Sequence, residues 1–356
     1  MKLTFRWYGF DDPISPEYIA QIPGVTGVMG MMNEFQAGEV WTKSVFQKAV
    51  DACHKAGLDY KVIESINVHE DIKLGKDSRD QYIDNYIQSI KNVAECGVEV
   101  IVYNFMPVFD WLKTDLKYQL PDGSTTLSYD EEDLKGLTPQ DVVNRTLSKA
   151  GNFALPGWEP ERLAELEKIL AEYESIDEEK LFENYVYFLN KIIPTCEEYG
   201  VKMAVHPDDP AWPVFGIPRI SHRVDQFDRI LDAVDSPSNT ICLCTGSLGS
   251  DRNVDIPKVV KHFADKNRLG CLHIRNIKHQ GDRKFYEAAH PSMCGDLDMF
   301  EIMKVLHEAH YGGYIRPDHG RMIWGEEGRP GYGLYDRALG ISYLNGLWEA
   351  LEKQRN

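Results

Sequence analysis

The sequence predicts a closed (β/α)8 barrel, the TIM-barrel class, with a long insertion after the fourth strand. Three observations carry this. Short apolar, β-branched runs alternate with longer helical patterns, and eight such pairs can be marked along the 356 residues. Strands alternating with helices imply parallel pairing through right-handed crossovers. Eight units, in a chain longer than the roughly 250 residues such a barrel needs, favour closure. The alternative is an open doubly wound sheet. No G-x-G-x-x-G follows the first strand, so a dinucleotide-binding fold of that kind has little support.

Taken in order, the strands are expected at Leu3–Trp7, Val25–Met29, Tyr60–Glu64, Val98–Phe105, Lys202–His206, Thr240–Cys244, Cys271–Arg275 and Gly313–Arg316. The helical patterns "WTKSVFQKAVDACHKAG" and "SRDQYIDNYIQSIKNVAECG" each end at a glycine, the usual helix stop. Later helices are read from "EKLFENYVYFLNKIIPTCEEYG", "DIPKVVKHFADKN" and "DRALGISYLNGLWEALEK". Residues 1–356 therefore read as a single barrel domain. Its excess length is concentrated at 106–177, which holds a hairpin signal, "KYQLPDGSTTLSY", turning at Pro-Asp-Gly. A charged helical pattern, "EPERLAELEKILAEYESI", follows. An insertion of this length on the active-site side is expected to be a lid or an oligomer contact, and it suggests a homodimer. A second insertion, "KHQGDRKFYEAAHPSMCGDLD", follows the seventh strand.

Composition narrows the class. Apolar residues are 43% and charged residues 27%, as in a soluble globular protein. No run of about 18 apolar residues exists, so no membrane span is expected. The start, "MKLTFRWYGF", lacks a signal-peptide pattern, and a cytoplasmic location is expected. Seven cysteines, an odd number, fit free thiols in a reducing compartment. The net charge of -17 disfavours nucleic acid and anionic membrane as partners, since both need a basic stripe. A small anionic substrate stays compatible, because a metal and one or two arginines reverse the field inside a cleft.

In such a barrel the C-terminal ends of the strands face a common cleft. The fifth strand ends "MAVHPDDP" with His206, and the sixth ends "ICLCTGS" with Cys244. The seventh ends "CLHIRN" with His273 and Arg275, and the eighth ends "IRPDHGR" with Asp318 and His319. Imidazole, thiolate and carboxylate are all ligands of first-row metals. Spacings of 38, 29 and 45 residues place one ligand on each of four neighbouring strands. A structural zinc module would show tight local pairs instead. The pattern reads as an open, catalytic metal site of His206, Cys244, His273 and Asp318. Cys242 and Cys271 read as core residues. Among other residues that can reach the cleft are Glu34, Glu64, Asn104, Arg6 and Trp7 at the ends of earlier strands, and Tyr332 and Tyr335 in "GYGLYDR". Arg316 and Arg321 either hold an anionic end of the substrate or neutralise an acidic rim. His54, His262, His307 and His310 sit in helical patterns and read as surface or core residues. His69, His222 and His290 are loop positions.

The segments "RWYG", "AVHPDDP", "CLCTGS", "LHIRN" and "RPDHGR", in this order and over essentially the whole chain, resemble the mannonate dehydratase family of uronate degradation. The resemblance implies a xylose-isomerase-like barrel, Mn2+ or Fe2+ as cofactor, and conversion of D-mannonate to 2-keto-3-deoxy-D-gluconate with loss of water. The family's ligand types fall on His206, Cys244, His273 and Asp318. Dehydration of a 2,3-dihydroxy acid removes a weakly acidic proton beside a carboxylate, and a divalent cation stabilises the charge that develops. Arg275 is expected to clamp the carboxylate bidentately. His319 is expected to handle a proton, with Tyr332 or Tyr335 as its partner. The rival readings are a sugar isomerase or epimerase on the same barrel, and a non-catalytic sugar-acid-binding metal protein. Sites of the first kind tend to hold more carboxylates.

Overall fold

Parallel strands covered on both faces are short and almost wholly apolar, and the strands of this chain have that character. The computed structural model describes residues 1–150 and 166–354. Its strands are β1 (Lys2–Trp7), β2 (Val25–Gly30), β3 (Asp59–Glu64), β4 (Val100–Tyr103), β5 (Asp115–Gln119), β6 (Thr125–Asp130), β7 (Lys202–Val205), β8 (Asn239–Cys244), β9 (Leu269–Ile274), β10 (Asn276–Gly281), β11 (Lys284–Ala288) and β12 (Tyr314–Pro317). Eight of them close into a barrel in the order β1-β12-β9-β8-β7-β4-β3-β2, and these eight coincide with the eight expected runs.

Alternation along the strands sorts the core into two regions. Met29, Val62, Val100, Val102, Ala204, Cys242, Cys271 and Tyr314 fill the barrel interior as one buried cluster. The intervening positions, such as Ile63, Ile101 and Leu272, pack outward against the helices in a larger cluster. Helices at Lys43–Lys55, Arg79–Ala94, Glu178–Tyr199, Val224–Ala233, Ile256–Asp265, Met299–Glu308 and Tyr335–Gln354 form the outer layer. Their ends follow local chemistry. Asp177 caps the helix Glu178–Tyr199 through Lys180 N, and Gly200 ends it at φ +68°. Such a cap contributes about 1 kcal/mol. No helix among the described residues is long and apolar enough to cross a membrane.

The two insertions meet, which local pattern did not reveal. The expected hairpin of the first forms β5 and β6, and the second forms β10 and β11. Together they make one antiparallel sheet in the order β10-β11-β6-β5, with Phe285 opposite Tyr129 and Tyr286 opposite Ser128. The charged helical pattern of the first insertion is described only from Leu166, where a helix runs to Tyr173. Residues 159–165 of that pattern lie outside the described residues.

Candidate active site

Strand register sets the height of each side chain at the rim. Cys244 of β8 lies beside His273 of β9, and His273 lies beside Arg316 of β12. His206 follows β7 directly, its N–H bonded to Tyr103 O of β4 at 2.7 Å. One ligand atom each of His206, Cys244 and His273 lie within 4.8 Å of one another. Asp318 joins them, with Oδ2 3.3 Å from Cys244 Sγ and Oδ1 3.9 Å from His273 Nδ1.

This donor set fits a divalent cation. His206 Nδ1 is 2.7 Å from Pro207 O, so the ring donates there and leaves Nε2 as a free lone pair. The enclosed position of His206 holds its basicity below the usual imidazole value, against the pull of Asp318 and Glu64, which favours the neutral, ligating form. Cys244 Sγ accepts from Ser247 N at 3.4 Å and from Ser247 Oγ at 3.0 Å, contacts that stabilise a thiolate. Burial pushes the Asp318 carboxyl up, but His319, Arg316, Arg275 and His273 outweigh it and hold the group well below the usual range. A carboxylate and a thiolate 3.3 Å apart repel unless a proton or a cation lies between them.

Beside this cluster lies a small cavity of about 60 Å3. Arg6, Glu64, Asn104, Asp110, Trp111, His206, Asp209, Asp318, His319 and Tyr332 are among its lining residues. His319 and Tyr332 form a buried pair, with Nε2 2.7 Å from the phenol oxygen. Burial, with Tyr8 and Asp318 adding to it, raises the Tyr332 phenol well above its ordinary value, so it is protonated at neutral pH. On the other side of the ring, His319 Nδ1 lies 2.8 Å from each carboxylate oxygen of Glu287.

Arg275 departs from expectation. Its guanidinium was expected to clamp substrate, but it is buried beneath the rim and is not among the cavity-lining residues. It pairs with Glu287, with Asp209 Oδ2 at 2.7 Å and with Asp318 Oδ2 at 2.8 Å, and it donates to Ser247 Oγ at 3.1 Å. Three protein carboxylates surround it, so its donors are spent on orienting Asp318 and its neighbours. Gly246 of the "CTGS" segment makes room for it, since a Cβ there would sit 2.5 Å from Arg275 Cγ. Arg316 is likewise committed. It grips Glu64 bidentately, at 3.0 Å from Nε and 2.9 Å from Nη2, and meets Asp318 at 2.9 Å. Arg321 pairs with Asp336 and Asp122, each at 2.9 Å, away from the cavity.

Arg6 does face the cavity. It lies 3.1 Å from Glu64 Oε2, and its Nη2 reaches the Met31 sulfur at 3.4 Å. Its Nε, fully buried, has no hydrogen-bond partner among the described residues. Of the other rim candidates, Glu64 and Asn104 line the cavity, Glu34 is exposed, Trp7 packs against Tyr60 in the core, and Tyr335 stands 44% exposed beside Trp324. Cys242 and Cys271 are fully buried in the barrel interior.

Sequence reading missed Glu287, Lys113 and Asp209. Lys113 Nζ lies 2.7 Å from Asp209 Oδ1 and 3.7 Å from Glu287 Oε1, all three buried. A signal for Glu287 existed. In "KFYEA" it shares the face of Phe285, the apolar side of the strand, and an acid on a buried face needs a partner.

Comparison with known proteins points to one family. A family model described as D-mannonate dehydratase (UxuA) matches residues 1–356. The mannonate dehydratase of Lachnoclostridium phytofermentans is 62% identical over 355 residues, covering 99% of this chain and 99% of that protein. That of Thermotoga maritima is 53% identical over 356 residues, covering 100% and 99%. Among solved structures, mannonate dehydratase from Streptococcus suis serotype 2 superposes with a TM-score of 0.91 at 43% identity, covering 100% of this chain and 96% of that one. A D-psicose 3-epimerase from Clostridium cellulolyticum H10 gives 0.54 at 13% identity, covering 99% and 97%, a likeness of fold alone.

Proposed function

The chain belongs to the mannonate dehydratase family, a family of hydro-lyases, and from that premise we propose that it removes water from D-mannonate to give 2-keto-3-deoxy-D-gluconate in hexuronate breakdown, with Mn2+ or Fe2+ bound. One observation carries the reading: a His206–Cys244–His273–Asp318 cluster stands against a cavity whose wall holds the hydrogen-bonded pair His319–Tyr332. A divalent ion held by the cluster supplies Lewis-acid stabilisation of the charge that develops on the substrate carboxylate.

The chain's own residues account for the protons. His319 Nε2 takes the proton from C2, and the Tyr332 phenol gives its proton to the departing C3 hydroxyl, which leaves as water. The enol that results ketonises at C2. The imidazolium then returns its proton to the phenolate across their 2.7 Å contact, and both groups are restored. Arg6 takes the place first expected for Arg275. Beyond its ion pair with Glu64, it offers charge-assisted hydrogen bonding to the anionic end of a sugar acid. Seven free cysteines suit a reducing compartment, and the cytoplasm is the proposed location.

The test is metal analysis of the purified protein, followed by incubation with D-mannonate and Mn2+. A 2-keto-3-deoxy acid, 18 mass units lighter than the substrate, is expected. An isomer of unchanged mass would place the chain with the sugar isomerases instead, and binding without turnover would make it a sugar-acid-binding protein.

A further inference from the structure

The geometry points to Glu287 as a positioning residue for the dehydration. It fixes the tautomer of His319, and the insertions outside the barrel exist in part to deliver it. This rests on the reading of His319 and Tyr332 given above. A neutral imidazole has one nitrogen that donates and one that accepts. Both Glu287 oxygens lie 2.8 Å from His319 Nδ1, and an ionised carboxylate only accepts. Nδ1 therefore carries the proton, and Nε2 is left as the bare base. Without substrate, Nε2 accepts from the Tyr332 hydroxyl, a contact that substrate displaces before either group acts. With the other tautomer, Nδ1 would turn a lone pair toward the Glu287 carboxylate, Nε2–H would donate to the phenol oxygen, and no base would face the cavity.

Glu287 is held for this task. It is 1% exposed, and it pairs with Arg275 and has Lys113 Nζ at 3.7 Å. These two cations complement its charge and hold its carboxylate in place. Its backbone is pinned as well: the Thr126 hydroxyl donates to Glu287 O at 2.7 Å. Thr126 belongs to β6 in the first insertion, Glu287 to β11 in the second, and Lys113 to the segment entering β5. The four-stranded sheet is thus the frame that aims one carboxylate at a histidine of the barrel rim.

A purely structural role is the competing account, in which Glu287 only neutralises Arg275 and Lys113. Glu287→Gln keeps the shape but offers an amide donor to Nδ1. Glu287→Asp keeps the charge for the two cations but withdraws it from His319 by about one methylene, roughly 1.5 Å. The metal-loaded enzyme should lose about 10²–10³-fold in kcat in both variants, with KM within about threefold and metal content unchanged. The metal-free full chain, labelled with 15N-histidine and assigned with a His319→Asn spectrum, should show His319 protonated at Nδ1 in the parent and mixed or reversed in Glu287→Gln. Either variant retaining kcat within threefold overturns the proposal, as does a parent His319 protonated at Nε2. A kcat loss matched by metal loss and a raised KM assigns Glu287 to structure alone and also overturns it. A parent protein that makes no 2-keto-3-deoxy product defeats the dehydratase reading, while the tautomer measurement still decides the part played by Glu287.

Discussion

Asp209→Asn keeps the shape but removes one charge from the buried cluster and turns one of its two acceptor oxygens into a donor. The carboxylate meets Lys113 Nζ at 2.7 Å and Arg275 Nη2 at 2.7 Å, and its side chain is 3% exposed. At an effective dielectric of about 20, each contact amounts to about 6 kcal/mol of gross attraction. Desolvation offsets most of that, and breaking a buried pair by neutralising one partner costs about 3–5 kcal/mol net. Unfolding entropy is about 2.1 cal/mol/K per residue, so 356 residues give about 0.75 kcal/mol/K. The melting temperature should fall by about 4–7 °C, measured by scanning calorimetry on the metal-free protein at pH 7. The pH dependence gives a second check. Burial acts to raise the Asp209 carboxyl, but Lys113 and Arg275 overcome it and hold the group below its usual range. A depressed folded value stabilises above the unfolded pKa of about 3.9 and is lost as pH falls through the folded value. The gap between parent and variant should therefore narrow below about pH 4. A fall of under 1 °C at pH 7, or a gap as wide at pH 3 as at pH 7, would refute the charge argument.

Other outcomes follow from the same geometry. Cys244→Ser should weaken Mn2+ binding more than tenfold, about 1.4 kcal/mol, seen as metal lost on dialysis; full retention would remove the thiolate from the site. Arg6→Ala forfeits charge-assisted bonds of about 1.5–3 kcal/mol, so KM for mannonate should rise about 10–150-fold with kcat changed only a few-fold. An unchanged KM would mean the anionic end is held elsewhere. Tyr332→Phe should lower kcat by about 10²–10⁴ without altering metal content, and an enzyme that turns over normally with the phenylalanine would exclude the phenol as proton donor.

The barrel and the place of the candidate metal-binding cluster were legible in the chain itself. Short, almost wholly apolar runs separated by helical patterns mark parallel strands. Because strand ends share one rim, His206, Cys244, His273 and Asp318 could be assembled from four separate segments with no knowledge of contacts. Two things were decided only by the tertiary structure. One is the pairing of β11 with β6, about 150 residues apart in the chain, which brings Glu287 to His319; local periodicity reports the face a residue occupies but not the strand that will cover it. The other is the fate of the arginines. Arg6 and Arg316 stand on barrel strands and Arg275 directly follows β9, and sequence alone does not show which of their donors are already taken. Which of them keeps donors for a ligand depends on competition with Glu64, Asp209, Glu287 and Asp318. That competition is settled by distances of a few ångströms set only when the barrel has closed and the sheet of the two insertions has packed against it.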